Sequence, residues 1–197
     1  MGTFFKSNFG STDIAAPKVG VIYALDTFTR ADAATLGTTE IGGLTWTSIN
    51  TATAAISANK ATVTKSGSAG GMVIDDTRTS YTVSIKLVTT AALSGLMVRG
   101  NVSTGTGYVL YTNGAAYEFK PKTGQDAYGT AFALTSPPAS AVGDVLSITV
   151  TGNQMIAKIN GVTIATVTDA TYTGTAKGLF VRNATGQFDD FRYEPSA

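Results

Sequence analysis

Val145-Leu-Ser-Ile-Thr-Val-Thr151, Gly152-Asn153, Gln154-Met-Ile-Ala-Lys-Ile159, Asn160-Gly161 and Val162-Thr-Ile-Ala-Thr-Val167 follow one another without interruption. Each long piece alternates apolar with hydroxyl or polar residues, the period of a strand with one buried face. Each short piece is a turn. Asn-Gly between two alternating runs is the strongest short-range hairpin signal, because a type I′ turn needs positive φ at both central residues. After a polar connection, Gly178-Leu-Phe-Val-Arg182 and Gln187-Phe-Asp-Asp-Phe-Arg-Tyr193 add two further strand-like runs. The stretch therefore predicts an antiparallel meander.

Working back toward the N-terminus, strand runs recur at the spacing of a two-sheet sandwich. They fall at Thr45 to Ile49, Lys60 to Lys65, Met72 to Asp75, Tyr81 to Thr89, Gly95 to Arg99, Tyr108 to Thr112, Ala116 to Lys120 and Thr130 to Leu134. In Tyr81 to Thr89, Val83, Ile85 and Leu87 take one face. The glycine-rich Gly67-Ser-Ala-Gly-Gly71 lacks the lysine and following helix of a phosphate loop, and is expected to be a hairpin tip. No stretch keeps a helical period, and no second domain is evident. Trp46, after Gly42-Gly43, is expected to anchor the core. Phe188 and Phe191 cannot both point inward unless their strand bulges.

Residues 1–24 differ from the rest. Phe4, Phe5 and Phe9 sit among Gly, Ser, Asn and Asp without a strand or helix period, followed by Ala15-Ala-Pro17. This predicts an extended N-terminal arm over 1–24 and a β-sandwich domain over 25–197. Three phenylalanines on a free arm would expose apolar surface, so the arm is expected to dock on its own domain or on neighbouring subunits.

Composition narrows the function. In 197 residues there is no cysteine and no histidine, which removes disulfides, thiolate metal sites and the commonest general base and zinc ligand. A net charge of +1 gives no pull toward nucleic acid. No run approaches the length of a membrane span, and no apolar signal region follows Lys6. Only three of the 13 acidic residues are glutamates, Glu40, Glu118 and Glu194. The adjacent pairs Asp75-Asp76 and Asp189-Asp190 would point to opposite faces of a strand, a poor arrangement for two carboxylates acting on one sugar. A non-enzymatic protein is therefore expected.

Several of these features together resemble a known family. They are Asp26-Thr-Phe-Thr-Arg-Ala-Asp32, Leu36-Gly37, Gly42-Gly43-Leu-Thr-Trp46, Val98-Arg99-Gly100, Gly107-Tyr-Val-Leu110, the Asn160-Gly161 hairpin and Phe188-Asp-Asp-Phe191. The stretch from 26 to 195 resembles the concanavalin-like, laminin-G-like jelly rolls, and looks most like versions carried by virion proteins of tailed bacteriophages. The resemblance implies an all-β, two-sheet antiparallel jelly-roll sandwich. It also implies a structural protein on the surface of a phage particle, a capsid decoration or minor tail protein. Such a protein would be made in the host cytoplasm, bound to other virion proteins, homo-oligomeric and able to adhere to a host surface glycan. A free-standing carbohydrate-binding module is the alternative from another class, and a glycan hydrolase a third. Hydrolases of this family carry acidic residues on one central strand as Glu-x-Asp-x-x-Glu, a run that is absent here.

Two sets of site residues follow. Sugar stacking needs exposed rings with polar neighbours, and Arg99, Tyr108, Tyr111, Tyr117 and Tyr128 lie in middle strands that a concave sheet would present. Tyr108 and Tyr111, three apart, face opposite sides, so at least one belongs to the core. Related jelly rolls often use a structural calcium to hold their termini together, and Asp26 with Asp189 or Asp190 would meet if the first and last strands pair. The simpler role for these aspartates is capping a turn or pairing with Arg30 or Arg192.

Overall fold

The computed structural model describes residues 20–90 and 93–196, and among them the meander forms as its alternation predicts. β1 is Ala24–Asp26, β2 Thr47–Ile49, β3 Thr53–Ser57, β4 Lys60–Asp75, β5 Tyr81–Leu87 and β6 Leu93–Gly100. β7 is Gly107–Thr112, β8 Tyr117–Lys122, β9 Val145–Thr151, β10 Gln154–Ile159, β11 Val162–Thr168 and β12 Ala176–Glu194. β10 pairs antiparallel with both β9 and β11. Asn160 and Gly161, at φ 50° and 79°, make the left-handed turn that the dipeptide requires. In β5, Tyr81, Val83, Ile85 and Leu87 are buried and the residues between them are not, so period-two patterning places one face on the core.

The strands hydrogen-bond as one continuous antiparallel ladder, which β4 and β12 fold into two layers. These two long strands run side by side, from Ala176 opposite Asp75 to Phe188 opposite Ala61. Their register shifts between Arg182 and Ala184, where Asn183 at φ 45° accepts a 2.9 Å hydrogen bond from the Gly67 amide at φ 71°. There the ribbon turns a corner. Before it, β12 pairs with β6; beyond it, with β5 and β1. One layer thus carries β11, β10, β9 and β5, and the other β6, β7 and β8. Val83, Ile148 and Ala157 from the first meet Leu96, Leu110, Phe119 and Leu179 from the second in the main core.

Several sequence expectations change at this level. The glycine run 67–71 is the corner of one continuous strand, not a hairpin tip. Glycine is needed there for close approach as well as turning: a Cβ on Gly71 would lie 2.0 Å from the Leu179 carbonyl oxygen. Thr130 to Leu134 is not a strand. The Phe132 amide bonds the Phe119 carbonyl and the Thr135 amide bonds Ile164, so this segment crosses from the β8 edge to the β11 edge and cannot ladder with either. β3 escaped notice because its turn into β4 has no glycine: Ala58 and Asn59 hold φ 51° and 58°. Phe188 and Phe191 do both face the core, because the pairing of β12 with β5 slips between Asp189 and Arg192 around Asp190 at φ 50°.

Phe4, Phe5 and Phe9 lie outside the described residues. At the end of the expected arm, the Tyr23 amide bonds the Tyr193 carbonyl at 2.8 Å and Ala24 pairs with Tyr193.

Candidate functional site

The spacing of Tyr108 and Tyr111 on β7 sends them to opposite faces, and both are buried. Tyr108 enters the main core and donates a 2.7 Å bond to Asp169. Tyr111 lies in a second apolar cluster on the outer face of the β6, β7, β8 layer, with Met97, Val109 and Phe180, and donates to Glu118 at 3.1 Å. Tyr117 is buried with its hydroxyl on Asp144. None of the three is the exposed sugar platform expected of it. Tyr128 is half-buried and, with Val102, packs over the outer cluster. Lys122 fastens this cover. It is fully buried, and its ammonium donates 2.8 Å bonds to the carbonyls of Gly105 and Gln125 and another to Gly124. Burial lowers its pKa to about 8 against the upward pull of Asp126.

The first and last strands pair as the calcium expectation needs, Asp26 opposite Phe191. The donors around Asp26, however, do not suit a cation. Its buried carboxylate accepts from the Phe28 amide at 3.0 Å, from Trp46 Nε1 at 2.8 Å, and from Arg30 at 2.5 Å and 3.2 Å. Asp189 pairs with Lys60 at 3.6 Å and Asp190 with Lys86 at 3.5 Å. Among the described residues no three acidic side chains gather as metal ligands. Pairing with Arg30, the simpler role, is the one Asp26 takes.

Arg99 leads to a different place. It occupies a left-handed φ of 49°, where the pairing of β6 with β12 slips. A buried non-glycine residue held there marks a local constraint. Its amide donates to the Tyr81 hydroxyl at 3.3 Å, and its guanidinium donates to the carbonyls of Asp169, at 2.8 Å, and Gly152. Arg99 thereby ties the β9–β10 turn to the segment before β12 and walls a groove at one end of the sandwich. Thr79, Tyr81, Arg99, Asn153 and Thr173 line a cavity of about 190 Å³. Gly174 is shared with an adjoining cavity of about 260 Å³ lined by Asp75, Asn101, Ser103 and Thr175. A Cβ on Gly174 would lie 2.2 Å from the Gly100 carbonyl oxygen, so glycine keeps the two walls close.

The groove offers hydrogen-bonding groups that the fold leaves unused. Asp75 is exposed. Its carboxylate, the Asn153 amide and the hydroxyls of Thr79, Thr173 and Thr175 make no side-chain hydrogen bond among the described residues. Asn101 spends its Oδ1 on Ser103 and Thr104 amides, and its Nδ2 is unused. The Tyr81 pKa is pushed up to about 12 by burial, so the phenol stays a neutral hydroxyl. Carboxylate, amide and hydroxyl groups in one cleft match a neutral polyol, while no histidine or facing acid pair supplies proton transfer. Of this site the sequence pointed only to Arg99, since threonines and turn asparagines occur throughout the chain.

No protein-family model matches the sequence, and no curated protein sequence does. Solved structures match its shape. The carbohydrate binding module CBM66 from Bacillus subtilis superposes with a TM-score of 0.63 at 15% identity, covering 76% of this chain and 94% of its own. The fold is a concanavalin-like jelly roll. Domain 4 of AbnA, a GH43 extracellular arabinanase from Geobacillus stearothermophilus solved with arabinotriose, gives 0.52 at 14% identity over 90% of this jelly-roll chain and 94% of that one. SCLam, a non-specific endo-β-1,3(4)-glucanase of family GH16, gives 0.55 at 9% identity over 93% and 94%. At these identities the likeness concerns the jelly roll itself and leaves function to the site.

Proposed function

We propose that this jelly roll is a non-catalytic carbohydrate-binding protein that holds a glycan in the groove between Tyr81, Arg99, Asn153 and Asp75. The carrying observation is that groove's unused hydrogen-bonding set, a carboxylate with amides and hydroxyls. Buried polar groups of a ligand must be matched one for one, and sugar hydroxyls are both donors and acceptors. The likeness to a carbohydrate binding module and to an arabinanase domain solved with arabinotriose supports the same reading.

Glycoside hydrolysis commonly uses two carboxyl groups flanking one bond. The groove holds one, Asp75. Glu118, on the outer face, is ill suited to donate a proton: burial raises its pKa, but hydrogen bonds from Lys120, Asn113 and Tyr111 outweigh this and hold it below its usual range. Adhesion by a virion protein would use the same glycan chemistry, so the groove serves that expectation and the free-standing module equally.

The full chain applied to a glycan array is expected to bind a defined neutral oligosaccharide. Calorimetry of Asp75→Ala and Asn153→Ala is expected to show affinity falling about tenfold or more for each, the cost of one lost hydrogen bond to a charged or buried group. No binding across the array, unchanged affinity in both variants, or sugar release from the ligand would overturn the reading.

A further inference from the structure

At the far end of the same layer, the outer face collects charge. Glu118 and Lys120 lie on β8 and Arg182 on β12, with Tyr128 lying near both cations. Lys120 is ion-paired with Glu118, and its ammonium stands 5.5 Å from the Tyr111 and Tyr128 ring centres. The Arg182 guanidinium stands 4.8 Å from the Tyr128 ring centre and makes no hydrogen bond or ion pair among the described residues. The local charges balance with one left over. Glu118 offsets Lys120, and Asp126, whose Oδ1 accepts the Ala69 amide at 2.6 Å, offsets the buried Lys122. Among the described residues Arg182 has no acidic partner.

A guanidinium stacked on a ring keeps its in-plane N–H fork clear of that ring, and the fork matches a carboxylate with two parallel bonds. From these placements we infer that Arg182, with Lys120 beside Tyr128, forms a second subsite that binds the carboxylate of a uronic-acid sugar. The inference rests on the reading of the chain as carbohydrate-binding and specifies an acidic glycan. The two sites are separate. Arg182 pairs with Leu93 at one end of β6, while Arg99 is near the other. Six residues of strand span about 20 Å, so a ligand touching both must be an oligomer of several sugars.

The test is calorimetry of the full chain at low salt with polygalacturonate and with its fully methyl-esterified form, which keeps the same sugar backbone and has no free carboxylate. The acid form is expected to bind at least tenfold tighter. Arg182→Gln is expected to abolish that preference and leave neutral-glycan binding unchanged. Arg182→Lys, which keeps the charge and loses the fork, should fall between, and Asp75→Ala should retain the preference. Equal binding of the two polymers, or a preference unaltered in a folded Arg182→Gln variant, overturns the acidic subsite while leaving the groove intact. Lack of affinity for polygalacturonate, alginate and hyaluronate overturns it too, and failure on neutral glycans as well removes the carbohydrate reading.

Discussion

Asp26 shows how much one buried charge organises. It is fully buried, and the Arg30 guanidinium, the Trp46 indole and the Phe28 amide all converge on it. Trp46 also meets Phe191 edge-on, with ring centres 4.8 Å apart, so the same indole joins the polar cluster to the aromatic core. Removing Arg30 would leave the carboxylate buried without its counter-charge, a larger loss than that of the exposed part of the pair. Arg30→Ala is expected to destabilise the protein by about 3 kcal/mol, read by urea denaturation. A loss below about 1 kcal/mol would mean that water replaces the guanidinium. The sequence placed Trp46 in the core and offered Arg30 as a partner for Asp26, because both follow from local order: Asp26 and Arg30 are four residues apart. The convergence of Trp46 on the same carboxylate, twenty residues on, was not legible.

At the scale of elements, the β4–β12 ribbon makes the jelly roll from a single ladder. Gly67 and Gly71, in one glycine-rich run, do different work. Gly67 has φ 71° and no atom within 4 Å of an added Cβ, whereas such a Cβ on Gly71 meets the Leu179 backbone at 2.0 Å. Gly67→Ala is therefore expected to cost only the left-handed backbone penalty, about 1–2 kcal/mol. Gly71→Ala must move a strand, and more than about 4 kcal/mol or failure to fold is expected. Thermal melts of the two variants make the comparison, and equal losses would refute the assignment of roles. A glycine cluster in sequence marks a break in ordinary strand geometry but does not say whether the chain reverses or bends. That choice depends on a partner strand more than a hundred residues away. The bulge at Asp190 belongs to the same class, visible only once Phe188 and Phe191 are seen in one core.

The molecule as a whole carries buried groups that titrate at alkaline pH. Lys122 and Lys177 are fully buried, and burial lowers each from 10.5 to about 8. Between these values the unfolded chain retains protons that the folded one has released, so raising pH favours the folded state. Tyr81 acts oppositely, since burial raises it from 10.0 to about 12. Above pH 10 the unfolded tyrosine ionises first, and stability falls. The thermal midpoint is thus expected to rise from about pH 8 to about pH 10 and drop beyond it, with a shallower rise in Lys122→Met. A midpoint that declines steadily from pH 7 to 10 would show that the carbonyl cage around Lys122 holds its proton against burial.

The sequence alone determined the strand periods, the Asn160-Gly161 turn and the all-β class, because alternation and positive-φ turns are local properties of the backbone. It also removed histidine and cysteine chemistry outright. The tertiary structure decided which faces meet solvent. Alternation assigns Tyr108 and Tyr111 to opposite sides of β7 but cannot reveal that the chain around Val102 and Tyr128, tied down by Lys122, covers the outer side as well. Nor can it show Asp75, Asn101, Asn153 and Thr173 gathered at one end, since they come from four separate stretches. A strand's sequence records that a side is apolar; only the fold supplies what lies on top of it.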